Sequence, residues 1–592
     1  MKLNTWPNLV TMLHEQAQAK GDAPFLWGKV DGEYRPTSWR EAADQVNALA
    51  RTLRVWGLQP GDRVMLVSEN APHWAIADFA IMAAGGVSVP AYTTNTAHDQ
   101  THILVDSGAR FAIVSTATLA APLLQAAARA PTLERVIAIE EPEGGGGDMV
   151  VRWQTTLDEG AQGEGNPLAE GSQIMSDSVA CLIYTSGTGG PPKGVMLSHR
   201  AILANCVGAY ELLVSLGLDD EVFLSFLPLS HSYEHSCGLM FPIAIGAQIY
   251  YAERVETLTT NLIEACPTVM TAVPRLYELM RGRILQGVKR QGGFKEMLFW
   301  RAVKIGRKAY EDPGGMNWFE RLDNAIVDKL VRNKVRGRFG GRLKALVSGG
   351  APLNTEIGIF FTALGLRLLQ GYGQTEAAPV ISCNPPNNIK LHTVGPPTAG
   401  TEARIAEDGE ILVRGPLLMD GYWNLEEETA AALQDGWLHT GDIGVIDEDG
   451  YIEITDRKKD IIVVSGGDNV SPQRIEGILA LEPEIEQAMV MGDQRPHLVA
   501  LVVPTQDFVV HWARANGKPA DLAQLATDKD FYLALDDAVK RANAQLSVIE
   551  KMRRFVVADG PFTVENEMMT PTMKLRRHQI LECYGERLEA LY

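Results

Sequence analysis

The sequence predicts an α/β protein: a large N-terminal domain of parallel and mixed sheets covered by helices, followed by a smaller, mobile α+β C-terminal domain. Three observations carry that expectation. At 592 residues the chain exceeds what one hydrophobic core usually supports. From about Asp62, short β-branched runs alternate with helical stretches. Near residue 456 the pattern breaks at a charged run, DRKKD (456–460), and a shorter mixed segment follows.

In order along the chain, RVMLVS (63–68) reads as a strand, HWAIADFAIMAA (73–84) as a helix and VSVPAY (87–92) as a strand. FAIVS (111–115), VIAI (136–139), ACLIY (180–184), VFLSFL (222–227), AQIYY (247–251), TVMTAV (268–273) and LKALVS (343–348) continue the series. Continuous apolar strands separated by helices imply parallel sheets covered on both faces, with ligands beyond the strand C-terminal ends. EEPEGGGGD (140–148) is a glycine-rich surface loop. The segment 276–342 stands apart as a helical insertion, and Trp318, Leu322, Ile326 and Leu330 recur on one helical face. Between Arg275 and Lys344 there are 18 Lys/Arg against 7 Asp/Glu, which suits either a solvated face or a dock for an anionic membrane surface. Domain limits of 1–455 and 461–592 follow, with 456–460 as hinge. The pair inside QAMVMGDQRPHLVALVVP (487–504) supplies strands of the second domain. No repeat at solenoid spacing is present.

Composition excludes several classes. An apolar fraction of 46% and a charged fraction of 21% are ordinary for a globular protein, and the net charge of −19 argues against coating nucleic acid. Six scattered cysteines with no CxxC pair give neither a disulfide framework nor a metal site and fit a reducing compartment. The N-terminus lacks an uninterrupted apolar core of a signal peptide. The stretch from Trp74 to Tyr92 contains Asp78, a Gly-Gly pair and Pro90, so it reads as helix and strand rather than a membrane span. A cytoplasmic protein is expected, with peripheral membrane contact through 276–342 left open.

The chemistry concentrates after the strand ACLIY, in TSGTGGPPKGVMLSHR (185–200), with a helix to follow and Ser198 as its N-cap. Thr185, Ser186 and Thr188 offer hydroxyls. Gly187, Gly189 and Gly190 let backbone N–H groups turn inward, and Lys193 adds charge: the components of a polyphosphate cradle. A Walker loop from Gly187 would need Gly at 192 and Ser or Thr at 194, where Pro192 and Gly194 stand; a dinucleotide fingerprint fails at Pro192 too.

YTSGTGGPPKGVMLSH resembles the signature loop of the adenylate-forming (AMP-binding) enzymes, the superfamily of acyl-CoA synthetases, luciferases and peptide-synthetase adenylation domains. Further segments resemble that family in its order: SGGAPL (348–353) its adenine wall, QGYGQTEAAP (370–379) its YGxTE segment, and WLHTGDIG (437–444) its ribose segment. DRKKDIIVVSGGDNVSPQRIE (456–476) resembles its hinge and following loop, and TPTMKLRR (570–577) its C-terminal lysine segment. The resemblance spans nearly the whole chain. It implies a small β-barrel-like subdomain within the large domain.

It also implies roles that the residue types suit. Gly371, Tyr372 and Gly373 with Gly349, Gly350 and Ala351 would wall adenine. Asp442 would accept from the ribose hydroxyls and Arg457 would donate to the sugar. Glu376 would hold Mg²⁺ against the phosphates of ATP, and Thr375 and Thr188 would bond the α-phosphate or the metal's water. Lys193 would serve the β- and γ-phosphates. Lys574 would stabilise the charge that builds as the carboxylate attacks the α-phosphorus. In relatives the C-terminal domain swivels at the position of Lys459, and the loop at Gly466 lines the coenzyme A tunnel.

LPLSHSYEHSCG (227–238) resembles the pocket-side motif of long-chain fatty acyl-CoA synthetases, with His231 at the mouth of the acid site, and the 276–342 insertion is a trait of the same group. An apolar tunnel favours long chains, since each buried CH₂ contributes about 0.8 kcal/mol; medium-chain and then aromatic or branched acids rank behind. Two departures occur: Gly189 replaces a family threonine, and Asp468 stands where long-chain relatives often have glutamate. The expected reaction is ATP-dependent acyl-adenylate formation, then thioester formation with coenzyme A. A fatty acyl-AMP ligase serving an external carrier protein, or an inactive nucleotide- or acyl-CoA-binding regulator, are the alternatives. A homodimer stays open.

Overall fold

The computed structural model describes residues 3, 6–185, 191–254, 256–465, 468–570 and 574–592. It divides into two compact units: Met1–Arg404 with Leu412–Thr440 and Ile446–Glu453, and Ile405–Ile411 with Gly441–Val445 and Ile454–Tyr592. The charged run 456–460 lies within the second unit, close to the start of its longest segment. Strands Glu402–Ile405, Glu410–Arg414 and Trp437–Ile446 each contribute residues to both units.

The first unit holds two eight-stranded sheets. One runs Gly421–Tyr422, Lys193–Ser198, Val179–Thr185, Val87–Ala91, Arg63–Val67, Phe111–Val114, Arg135–Ala138 and Val150–Arg152. Its centre is parallel, with Val64 opposite both Ser88 and Phe111. The central strands are mostly apolar because both faces are covered, and Met65, Leu66, Val67, Ala112 and Ile113 have no exposed surface. The helix Pro72–Ala83 starts with proline at its first position and buries every residue from Trp74 to Ala83. Asp78 is tolerated there because His235 Nε2 lies 3.0 Å from its Oδ2.

The other sheet runs Val380–Cys383, Leu368–Gly373, Ala345–Ser348, Val269–Ala272, Val222–Ser225, Gln248–Tyr251, Pro24–Val30 and Glu33–Ser38. Its middle is again parallel, and both ends close with antiparallel pairs. The strands expected from sequence between 63 and 348 all occur, within one or two residues at their ends. The helical insertion forms Pro274–Gln291, Gly293–Glu311, Trp318–Val327 and Asn333–Arg338, with Asp328–Arg332 continuing the third helix in wider turns.

In the second unit, Ile485–Met491 pairs antiparallel with Leu498–Pro504, and Met552–Val557 adds in parallel. Each sheet face has its own core. Val490, Leu498, Ala500, Val502, Phe531 and Leu535 fill one side; Met489, Val499, Leu501, Phe562, Ile580 and Leu588 fill the other. That alternation along Leu498–Pro504 is why the strand reads as an unbroken apolar run. Among the described residues no helix is long and apolar enough to cross a membrane.

Candidate functional site

The expected phosphate loop starts where Val179–Thr185 ends. Thr185 pairs with Lys193 across an antiparallel ladder, which fixes both flanks of the loop. Ser186, Gly187, Thr188, Gly189 and Gly190 lie outside the described residues. Lys193 opens a strand that the sequence reading did not foresee. The helix follows at His199–Leu213, capped as expected by Ser198, whose hydroxyl accepts from the Ala201 N–H at 3.4 Å. Gly194 leaves room beside the lysine for the Tyr184 ring, which a Cβ there would approach to 3.1 Å.

Lys193 and Glu376 converge on one side chain, Tyr422, which sequence reasoning missed. The two-residue strand Gly421–Tyr422 pairs with Lys193–Ser198, setting Tyr422 opposite Val195. The segment is held on both sides of that pair, the Trp423 N–H donating to Gly194 O at 2.7 Å and the Asp420 N–H to Met196 O at 3.0 Å. The Lys193 ammonium then lies 5.1 Å from the centre of the Tyr422 ring. The Tyr422 hydroxyl donates to Glu376 Oε1 at 2.9 Å. Burial, and next the Glu376 charge, push the phenol pKa well up, so it stays a donor. The Met419 N–H donates to the Glu376 carbonyl at 2.9 Å. The second Glu376 oxygen has no hydrogen-bond partner among the described residues. Nothing in single-sequence spacing links residue 422 to 193; only the strand pairing does.

Thr375 and Glu376 follow the strand Leu368–Gly373 on a single tight turn, Thr375–Ala377. Tyr372 is buried on that strand, opposite Ser382. The neighbouring glycines have structural reasons. A Cβ at Gly373 would meet Pro379 O at 1.9 Å, and one at Gly371 would meet Ser382 O at 3.2 Å. Gly349 leaves room for the Tyr233 ring at 3.0 Å, and Gly350 takes a φ of +81°, a left-handed value that favours glycine. Ala351 beside them is half-buried.

The segment 227–238, expected to border the acid pocket, meets the YGxTE segment directly: Ser232 Oγ lies 2.9 Å from Thr375 Oγ1. His231 caps the turn Ser232–Glu234, its Nδ1 accepting from the Tyr233 N–H at 3.2 Å, and its ring centre is 6.5 Å from that of Tyr92. Glu234, a second residue not singled out from sequence, is fully buried. Its Oε2 accepts from Thr271 at 2.7 Å and its Oε1 from the Phe226 N–H at 3.2 Å, and burial raises its carboxyl to about 7. A carboxylate inside an apolar motif was the available signal.

The second unit carries the other candidates. Asp442 is 3% exposed, and Arg457 Nε donates to its Oδ1 at 3.0 Å. Lys458 pairs with Asp408 at 2.6 Å and Glu410 at 3.1 Å, whereas Lys459 is exposed on a turn. Gly466 lies outside the described residues, between the paired strands Ile462–Val463 and Asn469–Val470. Lys574 sits on a closed corner. The Thr570 N–H donates to Lys574 O at 2.8 Å, the Lys574 N–H to Thr570 Oγ1 at 3.1 Å, and Met569 bridges Leu575. Three residues on, Arg577 Nη2 lies 2.7 Å from both oxygens of Glu476, on the helix Pro472–Leu479. The structure thus gathers 185, 193, 231, 375 and 376 in the first unit and 442, 457, 459 and 574 in the second.

The AMP-binding enzyme family matches residues 13–423, and the AMP-binding enzyme C-terminal domain matches residues 459–592. The chain is 35% identical over 588 residues to a long-chain-fatty-acid–CoA ligase FadD15 of Mycobacterium bovis, covering 99% of this chain and 97% of that one. It is 33% identical over 593 residues to the peroxisomal long chain acyl-CoA synthetase 6 of Arabidopsis thaliana, covering 95% and 82%. Among solved structures, the adenylation domain of a carboxylate reductase from Mycobacterium chelonae aligns with a TM-score of 0.80 at 22% identity, covering 100% of this chain and 92% of that one. A benzoate CoA ligase from Burkholderia xenovorans aligns at 0.71 and 22% identity, covering 97% and 99%. These alignments share the fold.

Proposed function

The chain belongs to the AMP-binding enzyme family, and from that membership we propose how its residues carry out the reaction. It is a long-chain-fatty-acid–CoA ligase: ATP and a fatty acid give acyl-AMP and pyrophosphate, and coenzyme A then takes the acyl group and releases AMP. The convergence of Lys193 and Glu376 on Tyr422, at the flank of the phosphate loop, is the observation that supports this reading most directly.

In the first step Lys193 neutralises the β- and γ-phosphates, Thr375 bonds the α-phosphate, and Lys574 stabilises charge developing on the phosphorus as pyrophosphate leaves. Asp442 and Arg457 hold the ribose, Tyr372 and the 349–351 wall hold adenine, and His231 borders the acid. Lys459 is the pivot and Gly466 lines the coenzyme A path in the second step. Glu376 presents one carboxylate oxygen without a partner, and no cluster of three His, Cys, Asp or Glu occurs among the described residues. That donor set fits Mg²⁺, which takes one or two carboxylates and completes its shell with phosphate oxygens and water. Bound by Glu376 with Thr188, it would supply charge neutralisation on the triphosphate. Six cysteines without a disulfide support a reducing compartment such as the cytosol.

A pyrophosphate-release panel of acids from acetate to oleate, with and without coenzyme A, tests the proposal. Release should peak with long chains, with AMP and acyl-CoA formed only when coenzyme A is present. Pyrophosphate release that is blind to the acid would contradict it.

A further inference from the structure

The helix Ala97–Ser107 carries none of the residues assigned to substrate, yet it touches the chain beside the phosphate loop at three points. His102 Nε2 lies 2.9 Å from Pro192 O. A carbonyl only accepts, so Nε2 bears the hydrogen and donates it. The Tyr184 hydroxyl donates to Asp106 Oδ2 at 2.6 Å. The Asp106 carbonyl accepts from Trp423 Nε1 at 3.0 Å and from Asn424 Nδ2 at 3.3 Å. Each contact falls beside an assigned residue: Tyr184 precedes Thr185, Pro192 precedes Lys193, and Trp423 follows Tyr422.

The helix is itself fixed. Thr96 and Asp99 form a reciprocal cap at its start, and Gly108 takes a φ of +61° at its end. Ile103 and Leu104 are buried in the same core as Tyr184. Arg63 Nε donates to Ser107 O at 2.5 Å, while its guanidinium lies 5.1 Å from the centre of the Trp423 ring. His102 and Asp106, one turn apart on one face of this helix, therefore stand on a platform held at both ends. The His102 ring also meets the Tyr184 ring edge-on, with 6.1 Å between centres. Burial, and next the bond to Asp106, push the Tyr184 phenol pKa well up, so it stays a donor. Neither Pro191 nor Pro192 has an N–H to enter a ladder. The exit arm of the loop is grasped through the Pro192 carbonyl instead, and His102 is the side chain that grasps it.

We propose that His102 and Asp106 are positioning residues for the triphosphate. His102 sets the arm that carries Lys193. Asp106 sets the strand that leads to Thr185 through its carboxylate and the strand that carries Tyr422 through its carbonyl. This rests on the reading above, in which Lys193 serves the β- and γ-phosphates.

Equilibrium binding of MgATP and of AMP to the full chain, without acid or coenzyme A, tests it, because AMP lacks the phosphates that Lys193 would meet. His102→Leu should weaken MgATP binding about fivefold, the loss expected for one hydrogen bond, and leave AMP binding unchanged. His102→Gln places an amide N–H where Nε2 stands and should restore MgATP binding. Asp106→Ala should weaken MgATP about tenfold, since its bond involves a charged group. Asp106→Asn, whose amide oxygen still accepts from Tyr184, should recover most of that loss. His98→Leu, one turn earlier on the exposed surface, should bind both nucleotides as the parent chain does. MgATP binding that is unchanged in both His102→Leu and Asp106→Ala overturns the proposal. So does an equal loss of MgATP and AMP in both, which general loosening of the fold would give. Acid-dependent pyrophosphate release by the parent chain is measured alongside. Its absence refutes the ligase reading, while the comparison of MgATP with AMP still decides the positioning.

Discussion

Tyr422 does two jobs through two parts of one side chain, and substitutions can separate them. The hydroxyl fixes the Glu376 carboxylate, and the ring face carries the Lys193 ammonium. Tyr422→Phe keeps the ring and removes the donor. A hydrogen bond to a charged group contributes about 1.5–3 kcal/mol, so kcat/KM for MgATP in acyl-AMP formation should fall by about tenfold or more. Tyr422→Leu also removes the cation–π contact, worth about 1 kcal/mol, and should cost a further factor of about five. Thioester formation from supplied acyl-AMP should keep its rate in both variants. Equal losses in the two half-reactions would rule out a role confined to the triphosphate. Individual residues divide clearly in how readable they were. Lys193, Thr375, Glu376 and His231 stand in compact motifs whose residue types already suggest phosphate, metal or acid. Tyr422 sits in PLLMDGYW, where a tyrosine after glycine is unremarkable, and it acquires its role through a ladder to residues more than two hundred positions away. Glycine roles were only partly readable: Gly349 and Gly373 are small because Tyr233 and Pro379 crowd them, whatever ligand lies beyond.

At the scale of elements, the corner carrying Lys574 depends on a strut. Arg577 contacts both Glu476 oxygens at 2.7 Å, and the Val490 N–H donates to the same carboxylate at 2.7 Å. One carboxylate thereby ties the lysine segment, the helix Pro472–Leu479 and the strand Ile485–Met491. Lys574→Ala should abolish acyl-AMP formation while sparing thioester formation from supplied acyl-AMP. Glu476→Gln keeps the volume but leaves Arg577 half-buried beside a neutral amide. Breaking such a pair from one side costs about 3 kcal/mol, so the second unit should unfold earlier in urea. At low denaturant the variant should show the Lys574→Ala pattern in weaker form, with pyrophosphate release reduced and the thioester step kept. A stable variant with full pyrophosphate release would mean that the corner holds itself. Elements were the most legible level of this chain. Strands such as Arg63–Val67 and Leu498–Pro504 are continuous apolar runs because both faces are buried, and such runs are visible without a structure. The strand Lys193–Ser198 was hidden because it shares its residues with the loop motif and reads as the loop's tail. The stripe on Trp318–Val327 was read correctly as a helical face. Its exposure was not readable, because periodicity gives which residues share a face and not what that face meets.

For the whole molecule, the division into a large and a small unit was legible from length and from the change of pattern near 456, while the return of 405–411 and 441–445 to the second unit was not, since it depends on long-range pairing. The dominant core of the first unit also sets how stability responds to pH. Burial lowers His199 to about 4, and its Nδ1 accepts from the Leu9 N–H at 3.4 Å, a bond only the neutral ring can accept. Burial lowers His73 to about 4 as well. Below pH 6.5 the unfolded chain binds protons that these folded imidazoles refuse, so stability falls as pH drops from 6.5 toward 4, by about 3 kcal/mol per ring. Glu234 has the opposite sign. Its folded carboxyl, raised to about 7, holds a proton that the unfolded side chain releases above pH 4.5, so its contribution falls as pH rises from 4.5 to 7, again by about 3 kcal/mol. Two imidazoles against one carboxyl leave a net loss on acidification between 6.5 and 4.5. Urea unfolding at pH 5 and pH 7 resolves the terms. Glu234→Gln should gain on the parent chain as pH rises, whereas His199→Gln should gain on it as pH falls. Parallel pH dependences for the parent and both variants would mean that neither Glu234 nor His199 couples its proton to folding.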